Sequence, residues 1–237
     1  MTQEPIDRAL LHGAVEIVPT GAGLRPMRLP GWAIRRAADP QLAMSASQPS
    51  GVRLAFDTSA TVVELTARAE RFGYVGVPPR AVGVFDVLVD GDLHARASLE
   101  TATQHLTDMA SGRRSTTVAE PETLRIGLPA GDKRVEIWLP HTESVELVSI
   151  TAAAELRPVP SGRPRWVHHG SSISQGSNAG GPSATWVARA ARSLGLDLTN
   201  LGFGGARWRT PSPPERWPRC PPTFSPWRWA STSSTPT

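Results

Sequence analysis

Residues 165–205 read RWVHHGSSISQGSNAGGPSATWVARAARSLGLDLTNLGFGG. Trp166 and Val167 form a short apolar run that breaks at Gly170, as a buried strand does when it reaches a sheet edge. From Pro182 to Leu194, the residues Val187, Ala190, Ala191 and Leu194 fall at helical spacing. Pro182 suits the first turn of such a helix and Gly195 its C-terminal cap. Leu196 to Leu201 is a second strand-like run, closed by Gly202-Phe203-Gly204-Gly205. Strand, helix and strand, with glycine-rich turns at both strand ends, predict the start of an α/β sheet. In open parallel sheets, ligands bind at the C-terminal strand ends. The stretch from His169 to Gly176 lies at such an end. A serine on a tight glycine turn there projects its hydroxyl into the crevice, and its own N–H can face a developing oxyanion. The helix that follows places its positive end on the same side. Gly-Ser turns are equally common in solvated loops, so the turn alone leaves both roles open.

Working outward, the chain before Pro158 has a different period. Leu54 and Phe56 alternate with polar neighbours, as do Val63, Leu65 and Ala67. Phe85, Val87 and Val89 do the same, and Asp90-Gly91 follows as a hairpin turn signal. Leu124, Ile126 and Leu128 form another set, Gly131-Asp132 turns the chain, and Val135, Ile137 and Leu139 follow. A last strand runs through Val145 and Leu147 towards Ser149. Short strands at this spacing, with almost no helical periodicity, predict an all-β, antiparallel sandwich or jelly roll. Pro158, Ser161, Gly162 and Pro164 then punctuate the chain as a linker. The expected organisation is therefore an N-terminal extension (1–12), a β-sandwich (13–157), a linker (158–164), the start of an α/β domain (165–206) and a tail (207–237).

The run WVHHGSSISQGS (166–177), the helix after it and NLGFGG (200–205) resemble blocks one and two of the GDSL/SGNH serine hydrolases. The likeness is greatest to members with GSS in place of GDS, which often carry a β-sandwich in front of the hydrolase domain. The resemblance implies a flavodoxin-like α/β fold and Ser172 as nucleophile, with Ser171 in the place of the usual aspartate. It implies an oxyanion hole from the backbone N–H groups of Ser172 and Gly205, the latter five residues after Asn200. It implies an acyl-ester hydrolase without metal or cofactor, acting on small or carbohydrate-borne esters, often acetyl. The same family takes a third oxyanion donor from an Asn in block three, and its base and orienter from a DxxH pair. No DxxH follows Ser172, and no histidine follows His169. His168 and His169 are read as strand-end residues. Adjacent strand residues point to opposite faces, which argues against a shared metal. His12, His94, His105 and His141 are read as surface histidines.

Composition narrows the alternatives. No run of 18 apolar residues exists, so no spanning helix is expected. The N-terminal stretch MTQEPIDRALLHGAVEIVPTG carries three acids and no long apolar core, unlike a secretory signal, so a cytoplasmic protein is expected. The single cysteine, Cys220, excludes an internal disulfide framework. The net charge of +4 suggests nucleic acid only until it is located. Residues 207–237 hold five of the 25 basic residues and one of the 21 acidic ones, so residues 1–206 carry 20 of each and are neutral. A nucleic-acid partner is set aside. The remaining alternative is a non-enzymatic carbohydrate-binding module with a vestigial hydrolase segment. It would need exposed aromatics, and Trp32, Phe56, Phe72, Tyr74, Phe85 and Trp138 are expected mostly in the core.

Residues 207–237 hold eight of the 23 prolines and four of the eight tryptophans, with no leucine, isoleucine or valine. A disordered Pro/Ser/Thr-rich tail accounts for the prolines and poorly for the tryptophans. A frameshift after Ala206 accounts for both. In a frame starting one base earlier, present codons beginning with T mark apolar residues, and one permitted decoding contains LSVALGIN, similar to a block-three strand ending in its Asn. The expectation is a truncated hydrolase domain and a chain inactive or nearly so.

Overall fold

The computed structural model describes residues 6–160 and 162–205. The tail over 207–237 and its shifted frame lie outside the described residues. The chain begins with β1 (Leu11–His12), β2 (Glu16–Pro19) and β3 (Leu24–Met27), then α1 (Gly31–Ala37) and α2 (Pro40–Ser47). The strands β4 (Arg53–Thr58), β5 (Val62–Tyr74), β6 (Phe85–Val89), β7 (Asp92–Ala97), β8 (Ala102–Thr107) and β9 (Arg114–Thr117) follow. Next come β10 (Glu122–Gly127), β11 (Lys133–Trp138), β12 (Ser144–Ala152) and β13 (Arg157–Pro158). The last elements are β14 (Arg165–Gly170), α3 (Ser172–Gln175), α4 (Trp186–Ser193) and β15 (Asp197–Gly202).

The first thirteen strands form two sheets. One has the order β1-β4-β11-β6-β7 with β13 beside β4, and the other β2-β3-β12-β5-β8-β9 with β10 beside β5. The alternating residues do what their period requires. Leu54, Phe56, Val87, Val135 and Ile137 of the first sheet share one core with Val63, Leu65, Ala67, Val145 and Leu147 of the second. Asp90 and Gly91 both have positive φ (51° and 92°), the backbone that a two-residue hairpin between β6 and β7 needs. Alternation fails once in β12. The register shifts between Leu147 and Ser149, so the inward sequence runs Val145, Leu147, Ile150. That is a β-bulge, which a strict two-residue period cannot foresee.

Two helices stand where the sequence predicts almost none. Asp39 caps α2 by accepting from the Gln41 and Leu42 N–H groups at 2.9 and 3.3 Å, and Pro40 occupies the first turn. The Asp-Pro pair was the available signal. It was masked because the face that α2 buries is partly polar: Leu42, Ser45, Ala46 and Ser47. His141 also departs from expectation. It is 4 % exposed, not a surface residue. Burial pushes its pKa down against the opposing field of Asp86.

β14 and β15 pair in parallel, in register from Arg165↔Asp197 to Gly170↔Gly202. The connection starts later than the sequence predicts. Pro182–Ala184 makes a single 3-10 turn, and α4 begins at Trp186 with Thr185 capping the Ala188 N–H. Its buried face is Val187, Ala188 and Ala191, while Leu194 is 70 % exposed. That face packs on Leu198 and on Leu88 and Trp138 of the first sheet. β6 is therefore buried on both sides, Phe85 and Val87 towards the large core and Leu88 towards α4. Val167, expected in a buried strand, is 56 % exposed. Among the described residues, no helix is long and apolar enough to cross a membrane.

Candidate functional site

Ser172 opens α3, immediately beyond the C-terminal end of β14, and is exposed. Ser171 takes the N-cap position with an extended backbone, and Gly176 ends the turn at φ 79°. Ser174 and Gln175 donate their N–H groups to Ser171 O, and Gly176 donates to Ser172 O. Among the described residues the Ser172 N–H has no acceptor. The adjacent strand β15 delivers the second glycine loop to the same edge. A β-carbon placed on Gly204 would lie 3.6 Å from Ser172 Cβ, so the serine side chain and this loop are neighbours. Gly205 has φ 71°, a conformation that favours glycine.

What holds this edge is a set of buried polar side chains that the motif does not reveal. Gln175, 2 % exposed, accepts the Gly204 N–H on Oε1 at 2.5 Å and donates through Nε2 to Gln48. Its backbone carbonyl takes the Ser50 hydroxyl at 2.8 Å. Asn200, fully buried, donates to Ser174 O at 2.9 Å and Ser50 Oγ at 3.1 Å, and accepts the Gly202 N–H at 2.9 Å. Asn200 thus ties β14's turn to β15's. Gly170 and Gly202 are glycine for a steric reason, since a β-carbon at either would collide with Ser174.

Arg28, at the end of β3, is completely buried beneath this loop. Its guanidinium donates to Gln48 O, Ser45 O, Asn200 O and Gly202 O at 2.5–3.1 Å and lies 4.5 Å over the Phe203 ring. Burial pulls its pKa down to about 9, still above neutral, so it stays cationic at pH 7. Asp86, fully buried in β6, plays the matching role on the other side. It accepts the Ser183 N–H and hydroxyl at 3.0 and 2.6 Å and pairs with Arg96 at 2.9 Å. None of Arg28, Gln48, Asp86 or Gln175 lies at a position that periodicity marks. An arginine or aspartate inside an apolar strand pattern was the one visible hint.

Among the described residues, no hydrogen bond joins a histidine to Ser172. His168 Nε2 is 2.8 Å from Ser174 Oγ and its ring stands edge-on to Trp186. Burial, then the neighbouring His169, lowers its pKa. Of the six aromatics weighed for sugar binding, Phe56, Phe85 and Trp138 are in the interior, whereas Trp32, Phe72 and Tyr74 are exposed. Phe72 stacks on His105 with centroids 4.8 Å apart. The expected core bias is therefore an even split. Among the described residues, no group of three or more His, Cys, Asp or Glu side chains is placed to hold a metal ion.

A family model described as the N-terminal domain of SsfX3 matches residues 10–148. Among solved structures, the salicylyl-acyltransferase SsfX3 from a tetracycline biosynthetic pathway is 33 % identical, with a TM-score of 0.68 over 84 % of this chain and 53 % of its own. A structure named as a GDSL-like lipase, from Bacteroides ovatus, is 20 % identical, with a TM-score of 0.60 over 83 % of this chain and 55 % of its own. At that identity the likeness concerns the fold alone. The chain spans about half the length of both proteins. No curated protein sequence matches it.

Proposed function

The chain belongs to the family of the SsfX3 N-terminal domain, and from that premise we propose that it carries the β-sandwich and the opening of the α/β domain of an ester-acting GDSL/SGNH-type enzyme. The observation that carries the proposal is the exposed Ser172 at a parallel strand end with Gly204 against its β-carbon. In this proposal Ser172 Oγ attacks an ester carbonyl. The backbone N–H groups of Ser172 and Gly205 stabilise the tetrahedral oxyanion, the alcohol departs, and water releases the acyl group. The substrate class is a small or carbohydrate-borne acyl ester, with acetyl as the model case. The similar structure named as a salicylyl-acyltransferase supports acyl-group transfer as the chemistry.

Among the described residues, no hydrogen bond joins the Ser172 hydroxyl to a base. His168 is engaged with Ser174, and no histidine follows His169. The 237-residue chain should therefore hydrolyse 4-nitrophenyl acetate about three or more orders of magnitude more slowly than a serine esterase with its base. Whatever Ser172 contributes should disappear in Ser172→Ala. Robust Ser172-dependent turnover would overturn the low-activity expectation, and a rate indifferent to Ser172→Ala would remove Ser172 from the nucleophile role.

The exposed Trp32, Phe72 and Tyr74 favour a second reading, a sandwich that binds carbohydrate without chemistry. Saturable binding of plain oligosaccharide, unaccompanied by hydrolysis of its acetylated form, selects that reading.

A further inference from the structure

The peptide between Gly204 and Gly205 is gripped on one side only. Gly204 O accepts two hydrogen bonds from α2, from Ser45 Oγ at 2.6 Å and Gln41 Nε2 at 3.1 Å. Gln41 and Ser45 are four residues apart and share one helix face. In a trans peptide the C=O and N–H point in opposite directions. Fixing the carbonyl towards α2 therefore aims the Gly205 N–H away from it, and among the described residues that N–H has no acceptor. The preceding peptide is held as well, with the Gly204 N–H on Gln175 Oε1 at 2.5 Å. Sterics add to the restraint. A β-carbon on Gly205 would meet the Gln41 side chain at 2.9 Å, so the loop lies directly against α2.

We propose that Gln41 and Ser45 are positioning residues, which set the direction of the Gly205 N–H so that it can donate to an oxyanion formed on Ser172. The inference rests on the assignment of Ser172 and Gly205 given above. It makes the N-terminal region a structural part of the reaction site and not an appended domain. Ser45 is 1 % exposed and its hydroxyl has this one acceptor among the described residues, which makes it the stronger of the two restraints. An amide donor that is not preorganised must be turned during the reaction, and the loss of one oxyanion donor costs about 100- to 1000-fold. Loosening one should cost less.

The test uses the full 237-residue chain and a fluorophosphonate probe, followed by intact mass over hours. Ser172 Oγ forms the O–P bond, fluoride leaves with the P–F electron pair, and the hydroxyl proton goes to buffer. The phosphoryl oxygen then takes the place of the ester oxyanion. The wild-type chain should gain a single label that Ser172→Ala abolishes. The double variant Gln41→Ala/Ser45→Ala should label about 10-fold more slowly, and Ser45→Thr, which restores the hydroxyl donor, should recover most of the rate. An equal melting temperature for the double variant and Ser45→Thr separates positioning from unfolding. Wild-type labelling rates in the double variant, with the label still on Ser172, would overturn the positioning role and leave the site assignment intact. Labelling unaffected by Ser172→Ala would overturn the assignment and this inference with it.

Discussion

In the two-sheet body, side chains such as Leu54, Phe56, Val63, Leu65 and Ile137 are fully buried in one apolar core. In residues 165–205 the apolar cluster is small, and two of its six buried members, Leu88 and Trp138, belong to the body. A second small cluster packs Phe203 on Leu42 and Ala46 of α2, and polar side chains do the rest. Arg28, Asp86, Gln175 and Asn200 hold the strand ends and the loop after α3. Meanwhile Val167, Ile173 and Leu194 stay exposed at 56, 76 and 70 %. The body is held by burial, which is insensitive to direction. The serine edge is held by directional contacts to the body, and direction is what an oxyanion donor needs.

The largest effect should come from the body. Phe56→Ala removes a fully buried ring and should cost about 3–5 kcal/mol, read as a lowered urea midpoint. Because residues 165–205 lean on the body, both regions should lose protection together. Survival of hydrogen-exchange protection in β14 and β15 after the body melts would break the comparison.

A smaller and more local effect is expected from Arg28→Met. It keeps the bulk of the stem but takes a donor from four buried carbonyls, of which Ser45 O and Gln48 O keep backbone donors, about 1–3 kcal/mol for each carbonyl left unpaired. The exchange of amides from 197 to 204 should accelerate while β5 and β12 keep their protection. Uniform acceleration across both sheets would show that the two regions are not held separately.

The smallest effect is one of pH, at the seam between the regions. His141 is buried beside Asp86, and its pKa is held below the ordinary value of 6.5, chiefly by desolvation. The unfolded chain therefore binds the extra proton first. The stability contributed by neutral His141 is fully present above pH 6.5 and declines as pH falls towards its lower folded value. The urea midpoint should drop between pH 7.5 and 5.5, and His141→Gln should reduce that slope. An unchanged slope would place the titration elsewhere, with His12 and His168, both also lowered, as the next groups to replace.

What the sequence determined by itself were the features written in short-range pattern. The period of two located the buried faces of β4, β5, β10 and β11, because alternate side chains on a strand must share a face. Asp90-Gly91 marked its hairpin because few residues accept positive φ twice in succession. The glycine turn carrying Ser172 and the Gly204-Gly205 loop were visible as the ends of two strand-like runs. Only the tertiary structure decided that these ends lie side by side, that α2 exists and faces them, and that Val167 looks outward. Those outcomes depend on which surface each element meets. Arg28 and Asn200 belong together through a hydrogen bond spanning 172 residues, a separation at which no local pattern carries information.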